Sequence, residues 1–196
     1  AQAEVLKSET TLRNYDSQKS TLVNQAYFKA EDAVRKQLDP LFTDDETTPR
    51  LTFQTRDSQV ENDLYTFRLA AGRMLPLWKN ILLDNNITDA AKRLTSVRTL
   101  LYRAQDALLA QTSLDVATLS AYKANVTAGL DEINQSLTAI NDLLQKMSVQ
   151  EAEIIAQKAR LAGAEAGELQ SKTRLAESYL YAPFTGTITE KYTELG

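Results

Sequence analysis

Glycine and proline are the residues that interrupt helices, and this chain holds only 6 Gly and 4 Pro in 196 residues. Gly loses much backbone entropy in a helix, and Pro removes a donor and clashes with the preceding turn. Their scarcity leaves long stretches with nothing to stop a helix. Residues from about 114 to 177 show the consequence. Leu119, Tyr122, Val126, Ile133, Leu137, Ile140, Leu144 and Met147 recur at heptad spacing. Val149, Ala152, Ala156, Ala159, Gly163 and Ala166 carry the stripe onward. Ser148 and Glu151 form a capping-box pattern inside this run, which is ambiguous where the period does not break. Ala and Gly on the seam imply helices packed close together.

The preceding residues read as shorter helices. Residues 1–39 form a first helix, whose stripe begins as Val5, Leu12, Tyr15, Leu22 and Ala26. It then shifts to Val23, Tyr27, Ala30, Val34 and Leu38, a change that looks like a stutter. Asp39 before Pro40 ends the helix, because a residue preceding Pro is pushed out of the α region. Residues 40–57 are a long connection that packs down through Leu41, Phe42, Leu51 and Phe53. Its Asp44, Asp45 and Glu46 lack the alternating spacing and Gly of a calcium loop and read as a solvated turn. Ser58 and Glu61 suggest a capping box opening a second helix that runs to about Leu83, weakened near Gly72 and Pro76. Its stripe is Val60, Leu64, Phe67, Leu75, Trp78 and Leu82, which makes Trp78 a core anchor. Thr88 suggests a cap for a third helix over about 89–111, with Leu94, Val97, Leu101, Ala104 and Leu108 inward. Thr112 and Asp115 give another capping pattern where the chain reverses.

The last eighteen residues differ. From Tyr179 onward β-forming residues dominate, punctuated by Pro183 and Gly186. Two short strands bury too little to fold alone, so this tail calls for a partner segment. The run Ala182-Pro183-Phe184-Thr185-Gly186-Thr187-Ile188, directly after a very long helix and followed by Gly196, resembles the second half of the biotinyl/lipoyl-like domain of bacterial membrane fusion proteins, the periplasmic adaptors. The motif covers under a tenth of the chain. The plainer reading is an incidental hairpin after a helix. The resemblance implies a mainly α chain: a long antiparallel helical hairpin with a helical insertion, ending in half of a lipoyl-like β domain. Ala182, Pro183, Phe184, Gly186 and Ile188 are then structural positions. Lys191 does not sit in the Met-Lys-Met turn of a true carrier domain, so no lipoylation is assigned.

The resemblance also constrains topology. The other half of such a domain lies before Ala1, so the chain reads as a piece of a longer protein whose entry and exit lie side by side. That requires an even number of antiparallel arms. The expected division is a hairpin over 1–178, with an outgoing arm of 1–39 and 88–111, an insertion at 40–87 and a return arm of 113–177, then the β half-domain at 179–196. At about 1.5 Å per residue both arms come to roughly 95–98 Å, which suggests that the first and third helices stack end to end. The rival packing for the distal half is an up-down four-helix bundle sharing Phe67, Trp78 and Tyr122.

Composition narrows the function. The net charge is −4, so there is no basic footprint for nucleic acid. Without Cys there is no disulfide scaffold or thiolate metal site, and without His the commonest general base and metal ligand are absent. No catalytic constellation, metal site or cofactor site is expected. No run approaches the roughly 18–20 apolar residues of a membrane span. Two functional classes remain. The first is a periplasmic adaptor, anchored to the inner membrane outside this segment, homo-oligomeric, and linking an inner-membrane transporter to an outer-membrane channel or other exit duct. The second is an extracytoplasmic sensory bundle of the chemoreceptor kind. In efflux-type adaptors the hairpin tip resembles Arg-x-x-x-Leu-x-x-x-x-x-x-Ser. The nearest match here is Arg103, Leu108 and Ser113, with different gaps. With Gln111 and Leu114, these residues mark an expected partner-binding tip.

Overall fold

The longest element, α4, spans Val116–Glu177 without interruption, so the cap pattern at Ser148 and Glu151 starts nothing. Its 62 residues extend about 93 Å. The structure is a computed structural model that describes residues 2–43, 48–179, 186–187 and 189–190. It is mainly helical, and three further helices precede α4: α1 at Gln2–Asp32, α2 at Ser58–Asn80 and α3 at Ile87–Ala110.

Two ion pairs fix α1 antiparallel to α4. Lys158 meets Glu9 at 2.8 Å, and Lys29 meets Glu132 at 3.2 Å. The α2 helix runs back along α1, with Trp78 edge-on to Tyr27 at 5.7 Å between ring centroids. It also lies antiparallel to α3, where Arg93 sits over Trp78 and Arg103 over Phe67, each 5.9 Å from the ring centroid. These pairings make residues from about 22 to 146 an up-down-up-down four-helix head. Beyond it, the first half of α1 and the second half of α4 form a two-helix arm.

This arrangement corrects the end-to-end stacking of the first and third helices. Gly129 of α4 shows why. A Cβ built there lies 3.1 Å from the Leu101 side chain of α3 and 3.7 Å from Cβ of Ala33, in the π turn that continues α1. Both helices therefore reach one point on α4 and lie side by side. Gly129 has no side chain to hold them off. Burial agrees: Ala90, Leu94, Val97, Leu100, Leu101, Ala104 and Leu108 of α3 are inaccessible or nearly so. An apolar face that wide faces several neighbours at once.

The α1 helix does not end cleanly. After Asp32 it widens into a π turn, Ala33–Gln37, closed by Leu38 N donating to Ala33 O at 3.1 Å. A short 3₁₀ turn, Asp39–Leu41, follows at the Asp-Pro step. The fully buried Arg68 of α2 donates from Nη1 to the Val34 carbonyl. Its guanidinium lies 5.1 Å from the Phe42 ring centroid and 3.8 Å from Asp39 Oδ1. A cation at the carbonyl end of a helix is favourably placed against the helix dipole.

Where α1 stops, the connection replaces it. Leu41, Phe42 and Phe53 are buried and Leu51 is packed against the same core. Phe42 pairs with Leu51 in an antiparallel bridge, and Thr52 N donates to Leu41 O at 2.9 Å. Asp44, Asp45 and Glu46 lie outside the described residues. The caps of α2 and α3 fall one or two positions before the expected ones, while α4 is capped by Asp115, the later residue of the Thr112 and Asp115 pattern. Asp57 caps α2, accepting from Gln59 N at 2.9 Å and Val60 N at 3.3 Å. Asn86 caps α3, accepting from Asp89 N at 3.0 Å.

Of the lipoyl-like motif, Ala182, Pro183, Phe184 and Ile188 lie outside the described residues, and so does Gly196. Gly186 is described and exposed, in chain without assigned secondary structure. Among the described residues there is no strand longer than an isolated bridge.

Candidate partner-binding tip

The reversal between α3 and α4 is the end of the head farthest from the arm, and two segments build it together. Thr55 pairs with Gln111 in an antiparallel bridge. Arg56 N donates to Ala110 O at 3.0 Å, and Thr112 N donates to Gln54 O at 2.9 Å. Ser113 Oγ accepts from Gln54 N at 2.8 Å. The connection is thus stitched to the turn on both sides, and the backbone groups that the end of α3 leaves open find partners. Glu61 ties the same connection to α2. It accepts from the Tyr65 hydroxyl at 2.5 Å and from Thr55 Oγ1 at 3.3 Å. Burial, and next the bond to Glu61, push the Tyr65 hydroxyl above its ordinary pKa.

Asp115 opens α4. Its Oδ1 accepts from Ala117 N at 2.9 Å and Thr118 N at 3.0 Å, and its Oδ2 accepts from the Thr118 hydroxyl at 2.6 Å. The hydroxyl bond, then the Thr118 amide, hold this carboxyl below the usual aspartate value. The donors stabilise the ionised form, and the N-terminal end of the helix favours negative charge.

The residues singled out in the sequence take different roles here. Leu108 is 1 % exposed and belongs to the core, so it offers no contact surface, contrary to its expected place in a docking tip. Leu114 is half-buried against the core, and its amide is held by Gln111 Oε1 at 3.0 Å. Gln111 and Ser113 spend their polar groups on the turn itself. Arg103 bonds Asp106 at 3.4 Å, lies 4.0 Å from Asp63 and covers Phe67, which anchors it along the α2–α3 face.

The exposed apolar groups at this end are others. Leu109 is 62 % exposed and Val116 is 83 % exposed. A shallow groove beside Leu109 is lined by Arg56, Gln59, Val60, Asp106 and Ala110. Helical phase was the available signal for Leu109. It follows Leu108 directly, about 100° around α3, which in the last turn of the helix carries it off the buried face. Val116 is the first residue of α4, where no preceding turn covers it.

Among the described residues, no group of three or more His, Cys, Asp or Glu side chains is placed to hold a metal ion. No helix among them is long and apolar enough to cross a membrane. The chain matches no protein-family model, no curated protein and no solved structure.

Proposed function

We propose that this chain is the helical hairpin of a periplasmic adaptor, a membrane fusion protein that links an inner-membrane transporter to an exit duct. The observation that carries the proposal is α4, one helix of 62 residues that leads into the Ala182-to-Ile188 motif from a closed tip at its other end. A helix about 93 Å long spans distance more than it encloses a site. The chain supplies reach and a presented end, which is what a link between two membrane-bound machines requires. In this reading homo-oligomerisation and anchoring to the inner membrane belong to the full-length protein, and the location is the periplasm. The contact surface is Leu109 and Val116 with the groove between Arg56 and Asp106. The buried Leu108 takes no part. The test is Leu109→Asp combined with Val116→Asp in the full-length protein. Export should fall while helix content and melting temperature stay near wild type, because both side chains are exposed. Unchanged export would remove the tip from the mechanism.

The four-helix head supports a second reading, an extracytoplasmic sensory bundle. The full-length sequence separates the two. An adaptor has a β-rich half-domain before the first helix and β sequence after Gly196. A sensor has membrane spans flanking the bundle.

A further inference from the structure

We draw no further inference here: the strongest candidate, the exposed stripe of Ala152, Ile155, Ala159, Ala162, Ala166 and Leu169 on the arm half of α4, is an unpartnered face of mostly small residues, and nothing in the structure shows what covers it.

Discussion

Replacing Arg68 with Met tests the central packing claim about the head. Methionine keeps an unbranched apolar stem in the same space and removes only the guanidinium. Val34 is fully buried, so its carbonyl loses the Arg68 donor where water does not reach. A buried acceptor left without its partner costs about 1–3 kcal/mol. The contact with the Phe42 ring adds roughly 0.5–2 kcal/mol when desolvated. Against this, the variant no longer buries a charge, and returning that desolvation cost offsets part of the loss. The ion pair adds little, because Asp39 is 69 % exposed at 3.8 Å and solvent screens it. The net expectation for Arg68→Met is a loss of about 1–3 kcal/mol, or roughly 2–4 °C of Tm per kcal/mol for a chain of this size. Asp39→Asn should stay within about 0.5 kcal/mol, since exposed pairs of this kind contribute little. Urea unfolding at low and high salt measures both. The Arg68→Met loss should persist at high salt, because it comes from a buried hydrogen bond. If Arg68→Met stays within 0.5 kcal/mol of wild type, or Asp39→Asn costs as much, the carbonyl is not what Arg68 serves.

Gly129→Leu should separate α1 and α3 from α4, since even a Cβ there lies 3.1 Å from Leu101; overpacking costs about 1–3 kcal/mol, and thermal melts should show the drop. Asp115→Asn should be less stable than wild type near neutral pH and converge with it in acid. The folded-state pKa of Asp115 is depressed, so its contribution is present above the ordinary aspartate value and is lost as pH falls through the lower folded one; a Tm gap that stays constant from pH 7 to pH 2 would refute this. Lys158→Glu should speed amide exchange in residues 2–12 while residues 94–108 remain protected, because Glu9 and Lys158 join α1 to α4 in the arm. Ending the chain at 178 should leave circular dichroism almost unchanged, since α4 ends at Glu177 and Ser178 closes its last turn by donating to the Arg174 carbonyl at 3.1 Å.

What could be read in advance depended on whether a signal was local or shared between helices. The helical period of α4 is a property of one helix, and the helix runs through the false start at Ser148. The close-packed seam expected beyond it is corrected: Val149, Ala152, Ala156, Ala159, Gly163 and Ala166 are exposed, and a Cβ on Gly163 would meet nothing within 4 Å. Ile154 is the buried residue of that half. The connection over 40–57 announced its packing through Leu41, Phe42 and Phe53, all of which are buried. The caps were displaced for a chemical reason. Asp57 precedes Ser58 and Asn86 precedes Thr88, and Asp and Asn cap at least as well as Ser and Thr. Arg68 escaped notice because its charge excluded it from the stripe, although it stands four residues after Leu64 and seven before Leu75, both buried. The side-by-side placement of α1 and α3 was not legible from length, since stacked and adjacent helices of these lengths span the same chain. The width of the apolar face of α3 held that information. Leu100 and Leu101 are neighbours in sequence and both are fully buried, as is Ala107 outside the main stripe. A helix facing only one partner does not bury adjacent leucines.

The shift of stripe in α1 now has a structural meaning. Before residue 22 the helix faces α4 alone, and Val5 and Ser8 are its only buried positions, with Tyr15 half-covered. From Val23 onward it faces α2, α3 and α4, and Val23, Ala26, Tyr27 and Ala30 are all buried, followed by Ala33 and Val34 in the π turn. The change of phase therefore marks a change in the number of neighbours, and a coiled-coil irregularity is not needed to explain it. The same transition appears on α4, where Ile133, Leu137, Ile140 and Leu143 are buried and only Ile154 is buried after them. Head and arm are thus unequal in stability along one unbroken pair of helices. The head buries large side chains such as Trp78, Leu75 and Leu94, whereas the arm has a seam of Val5, Ser8 and Ile154 with an exposed ion pair across it. Two helices joined so thinly open locally at far less cost than the whole fold. Opening should therefore begin at the end of the arm away from the head and stop near Leu22, where the neighbours of α1 increase from one to three.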